Sequence, residues 1–225
     1  MRKLRARTQL WPMRGTFRIS RGARTETPTI VAEIEEAGEV GKAECVPYPH
    51  YGESNDSVMA EIETVRSAFE SGMSRADLQD ALPAGAARNA LDCALWDLEA
   101  KQSGKRAWEL AGIDQPPPVV SAMTLSLDTP ENMAEAARAS AHLPLLKLKV
   151  TGEGDLERVM AVRSGAPDSR LIVDANEGWR PEMLDSLLPA LAELGVEMVE
   201  QPLPADSDDA LLGREFAIPI CADES

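Results

Sequence analysis

Four short polar segments in the second half of this 225-residue chain carry the side chains best suited to chemistry: Lys147-Leu148-Lys149, Asp174-Ala175-Asn176, Glu200-Gln201-Pro202 and Ala222-Asp223-Glu224-Ser225. Each closes an apolar run of strand type, namely Leu145 to Val150, Leu171 to Val173, Val196 to Val199 and Ile218 to Cys221. Polar groups therefore stand where strands end. Three carboxylates (Asp174, Glu200 and Asp223), with places left for water and substrate, suit a hard divalent ion such as Mg²⁺, which seldom sits in an all-protein cage. A lysine beside such an ion is repelled in its charged form, which lowers its pKa and makes it a credible general base. The chemistry this favours is removal of a proton next to a carboxylate, the negative charge so formed being held by the ion.

Taken singly, each segment has an ordinary explanation. An Asp after a strand is commonly a turn or helix-cap residue, and Lys-x-Lys a solvated face. Four in register, each at a strand's end, argue for one cavity. The segments recur about every 25 residues, the length of one strand, one helix and two loops in a (β/α)8 barrel, whose active sites gather at the C-terminal strand ends.

The elements that must position these groups follow from the patterning. Up to about residue 46 the chain reads as an antiparallel meander: Lys3 to Thr8 alternates weakly, Phe17 to Ser20 is short, and Thr29 to Glu35 alternates Ile30, Ala32 and Ile34 with polar neighbours. A glycine-bearing turn then leads into a strand over Lys42 to Val46. The segment Arg21 to Glu26 is expected to be a loop, whose arginines either solvate a turn or pair with an anion. Pro47 to Glu53 is a rigid aromatic loop. Helices are expected over Ser57 to Glu70, with Val58, Ile62, Val65 and Phe69 on one face, and over Ala84 to Lys101, whose small residues permit close packing. Asp92 and Asp97 in that second helix are expected to be structural partners.

Gln115-Pro116-Pro117-Pro118 marks a boundary, because a proline run continues neither a helix nor a central strand. Beyond it strands alternate with helices: strand Val119 to Leu125, helix Pro130 to Ala141, strand Leu145 to Val150, helix Asp155 to Arg163, strand Leu171 to Asp174, helix Pro181 to Leu194, strand Val196 to Glu200, a short acidic helix, and a strand from Ile218. Repeated βα units imply a parallel sheet. The expected architecture is an α+β cap domain over 1–115, then an α/β TIM-type barrel over 116–225 comprising about five βα units. The chain is thus expected to hold the N-terminal part of a barrel, cut off after its fifth strand.

Charge and composition narrow the functional classes. The net charge of −15 opposes nucleic-acid or anionic-membrane binding, although the first 25 residues carry eight Lys or Arg and no acid. No run of apolar residues is long enough for a membrane span. Cys45, Cys93 and Cys221 lack C-x-x-C spacing, which fits a reducing cytoplasm. Cys93 and Cys221 fall on apolar faces and are expected to be packed thiols. His50 and His142 have no partner at metal-ligand spacing.

With these motifs in view the sequence resembles the enolase superfamily, and within it the dipeptide epimerases of the muconate-lactonising subgroup. The resemblance rests on the four strand-end motifs, the second extended as Asp174-Ala175-Asn176-Glu177-Gly178-Trp179. It rests also on Asn89 to Leu98, which is similar to the helix joining cap to barrel, and on two cap features, Pro47 to Ser54 and Arg21-Gly22-Ala23-Arg24. It implies Mg²⁺-dependent epimerisation of dipeptides of the L-Ala-D/L-Glu type, in the cytoplasm, for recycling cell-wall peptides. It also implies roles: Lys149 as base, Lys147 binding or polarising the substrate carboxylate, Thr124 in the substrate pocket, Arg24 receiving a glutamate side chain, and Asp174, Glu200 and Asp223 holding Mg²⁺. The family's second catalytic lysine and its acidic motif after strand eight have no counterpart in these residues. Muconate cycloisomerases and o-succinylbenzoate synthases share the lysine and carboxylate motifs, and an inactive fragment is the reading from outside the enzymes. The expected partner is a small dipeptide, with neither nucleic acid nor membrane; homo-oligomerisation stays open.

Overall fold

The computed structural model describes residues Met1 to Ser225, which divide into two units, one of residues 1–13 and 26–117 and the other of residues 14–25 and 118–225.

The first unit is built on three strands, β1 (Lys3–Ile19), β2 (Gly22–Glu36) and β3 (Glu39–Cys45), in the order β1-β2-β3. β2 and β3 are antiparallel, with Ile30 opposite Cys45 and Ile34 opposite Gly41. Side chains alternate across a strand, so Ile30, Ala32 and Ile34 point the same way, and all three are fully buried. They pack with α1 (Asn55–Glu70), α2 (Arg75–Ala81) and α3 (Ala86–Ser103), through Val58, Ile62, Phe69, Leu78, Leu91 and Leu95; α4 (Ala107–Leu110) follows. Gly41 lets β3 approach α3 closely, since a Cβ there would lie 2.6 Å from that of Leu98. This is the close packing expected of that small-residue helix. Asp97 accepts from the Lys42 backbone N–H at 2.7 Å and from the Lys101 ammonium at 2.6 Å, and Asp92 from the Gln79 amide, both structural roles.

The second unit carries a parallel sheet in the order β4-β5-β6-β7-β8: β4 (Met123–Leu125), β5 (Leu145–Lys149), β6 (Arg170–Asp174), β7 (Val196–Glu200) and β8 (Ile220–Cys221). Helices α5 (Pro130–Ser140), α6 (Asp155–Gly165) and α7 (Pro181–Glu193) link the first four strands. Leu146, Leu148, Val173 and Val199 are fully buried, and Val159, Val162, Leu184 and Leu188 share their core. An antiparallel unit followed by five parallel strands is the expected fold class.

Four local expectations need correction. β1 runs unbroken to Ile19 and β2 begins at Gly22, so the expected loop shrinks to a turn at Ser20 and Arg21. Most side chains from Arg14 to Glu26 are exposed on both faces of this ribbon, which leaves no alternation to read. The first strand of the parallel sheet is three residues long, with Val119 and Val120 exposed outside it. The acidic helix is two short 3₁₀ turns, Ala205–Ser207 and Asp209–Leu211. Cys93 is exposed, because the buried stripe of α3 runs through Ala90, Leu91, Ala94, Leu95 and Leu98 and passes it by, and Cys221 at the end of β8 is half-buried.

Candidate active site

Strand register assembles the candidate residues. Lys149 pairs with Asp174, Asp174 with Glu200 and Glu200 with Cys221, so three candidates form a row across adjacent strand ends. Lys147 lies two residues earlier on β5, paired with Thr124 on β4. The two-residue repeat puts both lysines on one face, opposite the buried Leu146 and Leu148.

The ammonium groups are held by carboxylates. Lys147 Nζ donates to both Glu200 oxygens at 2.7 Å and lies 2.8 Å from Asp174 Oδ2. Lys149 Nζ donates to Asp174 Oδ2 at 2.5 Å and to Asn176 Oδ1 at 2.8 Å. Lys149 is buried at 8% exposure, and Asp174 is fully buried.

Burial opposes charge on Lys147, but its hydrogen bonds to Asp174 and Glu200 and their attraction outweigh this and raise its pKa. The charges beside Lys147 in this arrangement are carboxylates, which favour its charged form. Burial works against ionised Asp174 too, yet bonds from both lysines hold it below the usual carboxylate range. Glu200 is pushed up, first by burial and then by the negative charges of Asp174 and Asp223, despite the bond from Lys147.

Asp223 follows β8 and gives its backbone N–H to Gln201 Oε1 at 2.8 Å. The three carboxylates do not form a cluster at metal-binding spacing in this arrangement, and Lys147 bridges two of them. Their chemistry nonetheless suits a cation: hard oxygens from neighbouring strand ends already share one positive charge. A divalent ion taking Asp174 and Glu200 would require the Lys147 ammonium to give up these contacts. Thr124 is half-buried beside Lys147. The Arg24 guanidinium lies 5.6 Å from the Phe17 ring centre.

Several supporting residues carried no catalytic or metal-holding role in the sequence reading. Asn176 binds Lys149 and also donates its own N–H to Asp174 Oδ1 at 2.9 Å. Gln201 accepts the backbone N–H groups of Asp223 and Ser225 and gives its amide to Leu203 O and Ser225 Oγ. Asp155, 1% exposed, accepts from the backbone of Thr151 and Gly152 and from the Trp179 indole. Arg21 reaches Asn176 O, Glu177 and Glu224. Asn176 and Gln201 lie within the strand-end motifs, where their positions could have marked them. Asp155 left no such mark, while Arg21 stood in the loop whose arginines were open to pairing with an anion, its partners Glu177 and Glu224 being far away in sequence.

Comparison with known proteins agrees with this architecture. Residues 1–112 match the family described as mandelate racemase / muconate lactonizing enzyme, N-terminal domain, and residues 131–225 match the family described as enolase C-terminal domain-like. The chain belongs to the enolase superfamily, of the mandelate racemase and muconate-lactonizing type. Among individual proteins, it is 48% identical over 227 residues to the L-Ala-D/L-Glu epimerase of Escherichia coli (strain K12), spanning all of this chain and 71% of that one. An enolase family member from Agrobacterium tumefaciens with homology to dipeptide epimerases, solved with sodium and L-Ala-L-Glu, superposes with a TM-score of 0.95 at 46% identity, over 100% of this chain and 69% of that one. The dipeptide epimerase of Enterococcus faecalis, complexed with Mg and L-Leu-L-Tyr, gives a TM-score of 0.86 at 27% identity, over 98% and 67%. Enolase-superfamily enzymes depend on a divalent metal. No helix of this chain is long and apolar enough to cross a membrane.

Proposed function

We infer that this chain belongs to a Mg²⁺-dependent epimerase of L-Ala-D/L-Glu dipeptides, an isomerase acting by proton abstraction at the glutamate α-carbon. The observation that carries the reading is the row of Lys149, Asp174 and Glu200 across adjacent strand ends, with Lys147 beside it. The 48% identity to an L-Ala-D/L-Glu epimerase supports this substrate over those of a cycloisomerase or dehydrating synthase.

We assign the α-proton to Lys149, whose Nζ is fixed by Asp174 and Asn176 and would accept the proton in its neutral form. Lys147, charged and held between two carboxylates, would bind the substrate carboxylate, with Thr124 beside it lining the pocket. Arg24 would receive the glutamate side chain; its guanidinium, now over Phe17, can pair with a carboxylate in bidentate fashion. Asp174, Glu200 and Asp223 would hold Mg²⁺. When bound, the ion would supply positive charge opposite the substrate carboxylate, where charge accumulates as the proton leaves. In this assignment residues 1–115 form the capping domain and 116–225 the part of the barrel that bears these groups, in a cytoplasmic enzyme.

The test is exchange of the glutamate α-proton for deuterium when the full-length, Mg²⁺-loaded protein meets L-Ala-L-Glu in D₂O, followed by NMR. Exchange with appearance of the D-Glu epimer is the expected result. A folded, metal-loaded protein that exchanges nothing would rule the reading out.

A further inference from the structure

The tip of the β1–β2 hairpin belongs to the second unit; its strands bond to Ser126 and Leu127, and Ser20 and Arg21 at its turn reach one short turn, Ala175 to Gly178. Ser20 Oγ donates to Asn176 O at 2.9 Å, and Arg21 Nη1 donates to the same oxygen at 3.0 Å. Arg21 also pairs with Glu177 Oε2 and with Glu224 Oε1, each at 2.7 Å. Packing is equally close, for a Cβ on Gly178 would lie 3.3 Å from the Ser20 Cβ.

The turn itself is strained. Asn176 and Glu177 both have positive φ, 43° and 65°, which non-glycine residues adopt only when their surroundings impose it. Two hydrogen bonds to the Asn176 carbonyl supply part of that constraint.

The Asn176 side chain carries the effect to the site. Its amide nitrogen donates to Glu224 Oε1 at 3.3 Å, the oxygen that Arg21 also holds, and its carbonyl oxygen accepts from Lys149 Nζ at 2.8 Å. The sharing fixes which way the carboxamide faces, because its nitrogen must point to Glu224 and its oxygen to Lys149. Glu224 has a side chain 2% exposed, and its second oxygen is buried with no hydrogen-bond partner, so Arg21 is its principal charge partner.

We propose that Arg21 is a positioning residue for Lys149: by gripping the Asn176 carbonyl and the Glu224 carboxylate together, it sets the carboxamide that holds the lysine ammonium. Arg21 touches no reacting atom in this scheme. The proposal rests on the assignment of Lys149 as base, and it gives the hairpin tip a part in the chemistry separate from the dipeptide-recognition role assigned to Arg24.

The experiment compares wild type, Arg21→Gln, Arg21→Lys and Ser20→Ala in the full-length Mg²⁺-loaded enzyme, by amide hydrogen exchange and by L-Ala-L-Glu kinetics. Arg21→Gln is expected to speed amide exchange over residues 174–180 and to lower kcat by about tenfold to a hundredfold, the scale of a small misplacement of a reacting group, with KM within about threefold of wild type. Arg21→Lys should recover part of kcat, since it restores the charge without the forked geometry. Ser20→Ala removes a single donor and should show a smaller loss of the same kind; it decides the matter if Arg21→Gln fails to fold. Unchanged kcat in the folded variants, or a rise in KM alone, would overturn the proposal. A wild type without epimerase activity would defeat the functional reading, while unaltered amide exchange over 174–180 in Arg21→Gln would separately defeat the grip on the turn.

Discussion

Replacing Asp155 with Ala should cost more stability than any surface substitution in the second unit, and the magnitude can be worked from its contacts. The carboxylate accepts from Thr151 N at 3.0 Å, Gly152 N at 2.5 Å, Trp179 Nε1 at 2.8 Å and Arg158 Nη1 at 3.0 Å. The Gly152 and Trp179 bonds are buried, so Ala strands two donors at roughly 1–3 kcal/mol each. Loss of an acid from the first turn of α6 adds about 0.3–1 kcal/mol. Relief from burying a carboxylate offsets part of this, leaving an expected loss of about 3–4 kcal/mol. Asp155→Asn, which keeps an acceptor oxygen, should lose about half as much. Urea unfolding followed by tryptophan fluorescence reads both, and a loss of that size lowers the midpoint by about 1–4 M at a typical slope of about 1–3 kcal/mol per M. An Ala variant within about 0.5 kcal/mol of wild type would refute the reasoning. So would an Asn variant as damaged as the Ala one, because Asn keeps an acceptor oxygen for the buried donors.

Three further perturbations follow from other sites. Burial pushes the Cys45 thiol up from 9.0 to about 11; the folded state therefore keeps its proton where the unfolded chain loses it, so stability should be intact below pH 9 and decline by about 3 kcal/mol between there and pH 11. Cys45→Ala should flatten that part of the stability curve measured by denaturant titration, and an unchanged slope would count against the thiol. Lys147→Met removes the cation that bridges Asp174 and Glu200, so Mg²⁺ should bind more tightly by calorimetry, by roughly tenfold, while turnover of dipeptide is lost; weaker binding would show that the lysine does not compete with the ion. Arg24→Ala should lower kcat/KM for acidic dipeptides about tenfold or more and leave neutral ones nearly unchanged, and equal losses for both would remove Arg24 from recognition.

What the sequence revealed and what it hid divide along physical lines. The buried strands and helices were legible because one-sided burial writes a period into the chain, as in Ile30-Ala32-Ile34 or the Val58, Ile62, Val65 and Phe69 face. The row of Lys149, Asp174 and Glu200 was legible because each residue follows an apolar run of similar length. The long hairpin was not. Its distal strands are exposed on both faces, and its partners lie some 150 residues away in sequence, as with Ser20 and Asn176 at a separation of 156. The pairing of Lys147 with Asp174 and Glu200 was not legible either, because a spacing pattern says which charges meet but not which of them pair.

The backbone after the two buried carboxylate strands shows why such information is out of reach of pattern reading. Asn176, Glu177 and Gln201 all have positive φ, and none is glycine, the residue that would have advertised it. Each is held by contacts from distant segments: Glu177 N donates to Gln201 O at 2.9 Å, and Gln201 N to Cys221 O at 2.9 Å. The Asn176 carbonyl is held by the hairpin tip. Strain of order 1–3 kcal/mol per residue persists only where the surroundings over-determine it. Its position, immediately beyond Asp174 and Glu200, turns the chain sharply and leaves Asn176 facing Lys149 and Gln201 bracing Asp223. A glycine at either position would relax the backbone and remove the side chain that connects the strand ends. The loss would fall on the alignment of Lys149 and Asp223 more than on the fold, which is the reason these two positions carry amides despite the unfavourable φ.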